Sequence, residues 1–253
     1  MDFSFASLGS GSRGNATLIR SAHALLLVDN GFTIKETERR LAMLGHSPED
    51  ITAILVTHEH SDHIKGVGPF ARKYQLPVYL THGTAQYDGL SKVSEMHQVN
   101  IHRAFTVADI DITPVAVPHD AREPCQFVFR HGDKTMGLLT DLGSITPHVT
   151  EQYQHCDALM LECNHCPQML AMGPYPPSLK HRVGGHWGHL SNHQAAGLLE
   201  QIEVERLQHL VISHISEKNN TEALARSAVS QWYAEDSLIL AQQDEAIDWL
   251  SVS

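Results

Sequence analysis

The sequence is short of positive charge. Lys and Arg number 18 against 29 Asp and Glu, a formal net charge of −11 with His neutral. An acidic surface does not hold a polyanion by bulk electrostatics, so a phosphate or nucleic-acid substrate needs a local source of positive charge. Long apolar runs are missing: no stretch approaches the roughly 18 residues of a transmembrane helix, and no membrane association is expected. The opening Met1-Asp2-Phe3-Ser4-Phe5-Ala6-Ser7-Leu8 has no basic region and no long apolar core, so it does not read as a signal peptide. There are 4 cysteines, and without an export signal they point to free thiols in a reducing cytoplasm. Repeats, low-complexity tracts and long charge blocks are absent, and Gly173-Pro174-Tyr175-Pro176-Pro177 reads as a loop rather than a linker. Residues 1–253 are therefore expected to form one domain. A hydrophobic content of 42% with 19% charged residues excludes a disordered chain. What the chain has in excess is histidine, 19 copies, more than Lys and Arg together.

Apolar patterning predicts strands over 3–8, 17–20, 24–28, 51–56, 77–80, 110–117, 126–130, 135–139, 158–161 and 207–212. Helices are expected over 33–44, 66–74, 191–202 and 222–233. A β-rich first half followed by β–α alternation implies an α/β (α+β) fold, with sheets packed together and helices outside.

The segment Thr57-His58-Glu59-His60-Ser61-Asp62-His63 follows one of these strands and offers three imidazoles and a carboxylate. In extended chain His58 and His60 point the same way and can share one ion. Asp62 and His63 lie past the turn and suit a second ion nearby. His119, Asp141 and His214 each stand just beyond an apolar run, where a loop leaves a sheet. A carboxylate such as Asp141 can bridge two cations, and positions left for water and substrate mark a catalytic site. Zn, Mn and Fe all suit this ligand mixture. Any one of the three distant residues alone is more simply a surface or capping group, and it is the 58–63 cluster that raises them to candidates.

Taken together, the pattern His-x-His-x-Asp-His followed by distant His, Asp and His resembles the metallo-β-lactamase superfamily. It is matched by His58, His60, Asp62, His63, His119, Asp141 and His214. The resemblance implies a four-layer αββα sandwich with a di-metal site along one edge, and makes Asp29 either a support of the metal loop or a turn residue before Gly31. A closer resemblance is to the WalJ/YycJ-like branch. It is carried by Ser7–Asn15, Thr57–Gly66, Pro118-His119-Asp120-Ala121, Thr140-Asp141-Leu142-Gly143, Glu162-Cys163-Asn164-His165, Gly188–Asn192 and Ser213-His214-Ile215-Ser216. That branch implies a metal-dependent phosphodiesterase with DNA exonuclease activity, related to RNase Z and the PhnP phosphodiesterase. Where the branch reads Glu-Ser-Asn-His-Asp, this chain has Glu162-Cys163-Asn164-His165-Cys166.

The expected chemistry is phosphodiester hydrolysis in DNA or RNA by a metal-bridging hydroxide oriented by Asp62, with the ions supplying the missing positive charge. By resemblance to RNase Z, Glu162 and His189 form a proton relay to the leaving group; otherwise His189 is a helix-start residue beside a Ser191 cap. Ser10, Ser12 and Arg13 in the Gly9–Asn15 loop are candidate phosphate contacts, against a plain β-turn. Asn219 and Asn220 read as caps of the final helix. Cys163 and Cys166, with Cys156 and His155 nearby, make a weak second zinc motif that reads better as buried free thiols. His181, His186 and His193 are expected to face solvent. Acidity and the lack of an evident basic or aromatic surface favour a small cyclic or nucleotide-like diester as substrate. Resemblance favours nucleic acid. A glyoxalase II-type thioesterase shares the metal motif, and a metal-binding regulator without turnover is the non-enzymatic alternative.

Overall fold

A computed structural model describes residues 3–253. The chain lays down β1 (Phe3–Gly9), β2 (Ala16–Arg20), β3 (Leu25–Val28), β4 (Ala53–Leu55), β5 (Val78–Thr81) and β6 (Met96–Val99) in a first sheet. A second sheet holds β7 (Phe105–Val107), β8 (Ile110–Ala116), β9 (Cys125–His131), β10 (Lys134–Leu139), β11 (Ala158–Glu162), β12 (His209–Ser213) and β13 (Ile239–Leu240). The last strand, β14 (Ile247–Val252), returns to the first sheet and pairs antiparallel with β1. The spatial orders are β14-β1-β2-β3-β4-β5-β6 and β13-β12-β11-β10-β9-β8-β7.

Side chains alternate faces along a strand, which explains the near-continuous apolar runs. In β3, Leu26 and Val28 enter the core between the sheets, where they join Phe127 and Phe129 of β9. Leu25 and Leu27 face the other way, into a core shared with Leu41, Val67 and Phe70. These belong to α1 (Ile34–Met43) and α3 (Val67–Tyr74), with the short α2 (Ser61–Ile64) between them. On the far side of the second sheet, Leu159 and Leu161 of β11 pack against Val149, Leu198 and Val229. Those residues come from α4 (Pro147–Tyr153), α7 (Asn192–Leu199) and α8 (Glu222–Val229); α5 (Pro167–Met172) and α6 (Pro177–Val183) lie between α4 and α7 in sequence. Three apolar layers between four layers of secondary structure make the expected αββα sandwich.

The long apolar strands and the four expected helices form within a few residues of the predicted bounds. The elements not anticipated are α2, α4, α5, α6 and the strands β6, β7, β13 and β14. β6 is a largely exposed edge strand, Met-His-Gln-Val, with no apolar face to detect. α4, α5 and α6 each begin on a proline, a residue that resembles a breaker in sequence but costs no hydrogen bond in the first helical turn. The segment around Pro174–Pro177, read as a loop, thus ends in a helix.

Two parallel blocks decide where the site lies: β3 to β6 in one sheet and β10 to β13 in the other. Loops leaving the carboxyl ends of such strands meet at one edge of the sandwich, the usual place for a site in parallel sheets. Among the described residues, no helix is long and apolar enough to cross a membrane.

Candidate metal centre

The loops after β3 and β4 are locked together before any ligand is considered. Asp29, just past β3, is buried, and its Oδ1 accepts from the Thr57 N–H at 2.8 Å while Oδ2 accepts from Thr57 Oγ1 at 2.8 Å. His63 Nδ1 lies 2.8 Å from the same Oδ2. Asp29 therefore supports the 57–63 loop and is not a simple turn residue. Gly31 lets the two loops touch: a Cβ there would fall 1.9 Å from Asp62 O.

Ring partners fix which nitrogen of each histidine offers a lone pair. His119 Nδ1 faces Gly188 O at 2.9 Å, and His60 Nε2 faces Asp120 O at 3.2 Å. A carbonyl can only accept, so each of these nitrogens carries the hydrogen. His119 Nε2 and His60 Nδ1 are left as lone pairs, and they face one another at 3.1 Å. Thr57 Oγ1 spends its hydrogen on Asp29, so it accepts from His58 Nδ1 at 2.9 Å and leaves His58 Nε2 as a third lone pair. That nitrogen is buried and has no hydrogen-bond partner. Three acceptors converging without a donor, all within 4.8 Å of one another, are a set that a cation satisfies.

A second cluster adjoins it. Asp141 Oδ2 lies 2.9 Å from His63 Nε2, and Oδ1 lies 3.0 Å from His214 Nδ1. Donor atoms of His58, His63 and Asp141 form one compact group, and those of Asp141, Glu162, His189 and His214 another, so Asp141 sits astride both. Asp62, expected to share a second ion with His63, lies on α2 as His63 does. Its Oδ2 is 3.6 Å from His63 Nε2 and 3.7 Å from His214 Nε2. Glu162 is fully buried. Its Oε2 accepts from Leu190 N at 2.9 Å, and Oε1 faces His189 Nδ1 at 2.8 Å and His214 Nδ1 at 3.1 Å.

The electrostatics divide the imidazoles in two. Burial holds His58 and His119 below the ordinary imidazole value. Burial also works against charge on His63, His189 and His214, but the surrounding carboxylates outweigh it. Asp141, Asp62 and Asp29 keep His63 well above its ordinary value. Glu162 and Asp141 raise His189 to about 9, and Asp141 and Glu162 raise His214 to about 10. Burial raises the Glu162 carboxyl, yet its two histidine partners bring it down to about 2.

A cleft of about 320 Å³ opens over both clusters, lined by His60, Asp62, Asp141, His189 and His214 together with Ser12, Tyr175 and Arg182. Of the glycine-rich loop, Ser12 reaches this cleft. Ser10 is buried instead, accepting from the His214 N–H at 2.9 Å. Arg13 is exposed and paired with Asp244 and Glu217. Cys163 and Cys166 are buried and, among the described residues, join no group of metal donors; Cys166 immediately precedes α5 with Sγ 3.1 Å from Gln168 Oε1. His181, His186 and His193 are exposed. The cap of α8 is Thr221, whose hydroxyl accepts from Leu224 N, while Asn220 ties Cys163 O to Asn192. Three framing residues stand inside the quoted motifs but are given no role of their own by the sequence. Thr57 opens the 57–63 segment, Asn15 closes the glycine-rich loop and places Nδ2 3.1 Å from His63 Nε2, and Gly188 acts only through its carbonyl.

A family model described as a beta-lactamase superfamily domain matches residues 25–215. The exodeoxyribonuclease YycJ of Bacillus anthracis is 36% identical over 235 residues, 91% of this chain and 89% of that protein. The exodeoxyribonuclease WalJ of Streptococcus pneumoniae is 36% identical over 242 residues, 93% of this chain and 90% of that protein. Among solved structures, the metallo-beta-lactamase fold protein YhfI from Bacillus subtilis superposes with a TM-score of 0.73 at 17% identity, covering 97% of this chain and 99% of that one. That last likeness is one of fold.

Proposed function

Because this chain belongs to the metallo-β-lactamase superfamily, in its WalJ/YycJ-like branch, we propose that it is a two-ion phosphodiesterase that hydrolyses DNA from an end. The observation that carries this is the pair of lone pairs on His60 and His119 facing at 3.1 Å beside the orphaned His58 Nε2. His58, His60 and His119 would hold one divalent ion; Asp62, His63 and His214 would hold the other, with Asp141 shared. Zn, Mn and Fe all suit the imidazole and carboxylate donors. Bound there, the ions supply Lewis acidity: they bring water's pKa toward neutrality and offset the charge of a phosphodiester.

The chain's own groups do the rest. Asp62, which lines the cleft, would accept a proton from the attacking water and orient it. His189 borders the same cleft with Nδ1 on Glu162, which keeps the ring protonated and leaves Nε2 to deliver a proton to the departing oxygen. Glu162 is anchored by the Leu190 and Leu142 N–H groups, so the ring it orients cannot swing freely. A thioester's leaving thiolate has less need of such a donor, which is why this pair supports phosphate chemistry.

His189→Ala should lower turnover of an oligonucleotide, whose leaving alkoxide needs a proton, by about 10²-fold or more, and affect bis-p-nitrophenyl phosphate, whose nitrophenolate leaves unaided, far less, with the metal content unchanged by elemental analysis. Unaltered turnover of the oligonucleotide would remove His189 from the mechanism. A metal-reconstituted assay on that diester, on single- and double-stranded DNA labelled at each end, on cyclic nucleotides and on a thioester separates the substrate classes. Cleavage of the cyclic nucleotides alone would favour the second reading, a small nucleotide-like diester, which the net charge of −11 and the modest cleft also support.

A further inference from the structure

Between Glu162 and Glu200 the sequence contains no acidic residue, in a chain that has 29 of them. This stretch includes α5, α6 and the loop to His189, and it forms an arm on the cleft. Tyr175, Leu179, Arg182 and Val183 line the same cavity as His60, Asp62 and His189. Lys180, His181 and Arg182 occupy the last turn of α6. Trp187 follows, 63% exposed, one residue before the Gly188 carbonyl that orients His119. Met172 at the end of α5 is 88% exposed, and Lys218 Nζ lies 5.8 Å from the centre of the Tyr175 ring.

An indole this exposed, next in the chain to the cleft-lining Gly188, contributes little to packing. The positive groups of the arm are few and partly engaged: Arg182 pairs with Asp120, and Lys180 donates to Ala171 O. A strand held here would be held by stacking more than by charge, which suits an acidic protein. Within a strand, stacking on an indole needs an unpaired base, because a base in the interior of a duplex presents only its edges.

Resting on the phosphodiesterase reading above, we infer that the α5–α6 arm seats a single-stranded DNA end, with one base stacked on Trp187 and the backbone beside the acid-free α6. The test compares metal-loaded wild type, Trp187→Ala and Trp187→Phe on an end-labelled single strand, a blunt duplex and bis-p-nitrophenyl phosphate. Trp187→Ala should raise KM for the single strand about tenfold, in line with the worth of one base–aromatic stack, without changing kcat or turnover of the small diester. Trp187→Phe should recover most of the loss. Intrinsic fluorescence of the metal-loaded protein should be quenched by a phosphorothioate oligothymidylate, and that quenching should vanish in Trp187→Ala, leaving Trp232 and Trp249 unaffected. An unchanged KM, an equal loss on the small diester, or an equal loss on duplex and single strand would overturn the inference. A wild-type protein that cleaves none of the three substrates would instead refute the phosphodiesterase reading, and the quenching experiment would still decide the seat of the strand.

Discussion

A ring nitrogen that donates to a carbonyl leaves its partner nitrogen nothing but a lone pair, and this simple rule organises the centre. His60, His119 and His58 are each turned by one hydrogen bond, to Asp120 O, Gly188 O and Thr57 Oγ1. His63 is turned by Asp29. Asp29→Asn keeps the volume but gives up the charge and one of the two acceptor oxygens that Thr57 and His63 share. Metal affinity should fall by about 10- to 100-fold with the fold intact, as found when groups behind a ligating histidine are replaced. Chelator competition would measure it, and equal affinities in the two proteins would show that Asp29 acts on the loop alone. At this scale the donors themselves were legible, because 58–63 is dense and the distant residues stand at strand ends. The orienting groups were not. A carbonyl such as Gly188 O leaves no mark in sequence, and Asn15 and Ser10 reach the centre from the opposite end of the chain.

Strand ends deliver the donors and their support, and three of these residues sit in an uncommon backbone state. Asp29, Asp141 and His214 have φ of 59°, 51° and 50°, the left-handed region that residues with a Cβ seldom occupy. Such a residue turns its side chain sharply as the chain leaves the sheet, and the strain is typical of functional loops. The long strands and amphipathic helices were readable from apolar period, whereas the arm made by α5 and α6 was hidden by its prolines and β6 by its polarity. Element α1 has its own anchor. Arg40 is nearly buried, stacks on Phe32 at 4.2 Å, and donates to Leu8 O and Gln243 O as well as to Glu36. The Arg39 hydrogen bond, with that of Arg40, lowers Glu36 to about 2 despite partial burial. A carboxyl depressed in the folded state stabilises above its unfolded value near 4.5, and that stabilisation is lost as pH falls from there toward 2. Glu36→Gln should therefore cost about 1–2 kcal/mol at pH 7, allowing for solvent screening, and the difference should shrink below pH 4.5 and close only as pH falls through about 2. Paired thermal melts across that range would show it; a constant gap would mean that shape, not charge, holds the helix.

For the molecule as a whole, protons and divalent ions compete for one buried cluster. In the metal-free chain at neutral pH the raised values of His214, about 10, and His189, about 9, keep both rings charged against Asp141 and Glu162. A histidine raised in the folded state lends stability that is complete below the unfolded value near 6.5 and disappears as pH climbs through the folded value. The metal-free protein should accordingly lose stability between pH 7 and 10. Loading an ion onto His63 and His214 must displace protons, so affinity for the ion should rise over the same interval. Calorimetric melts with and without chelator should then diverge as pH increases, by about 2.7 kcal/mol once the free ion reaches 100 times its dissociation constant. Titration of the ion in buffers of different ionisation enthalpy should register net proton release. If the two melting curves stay parallel from pH 7 to 10 and no protons are released, the carboxylate-held histidines are not where the ion binds, and the second cluster is a buried ion-pair network that braces the two sheets.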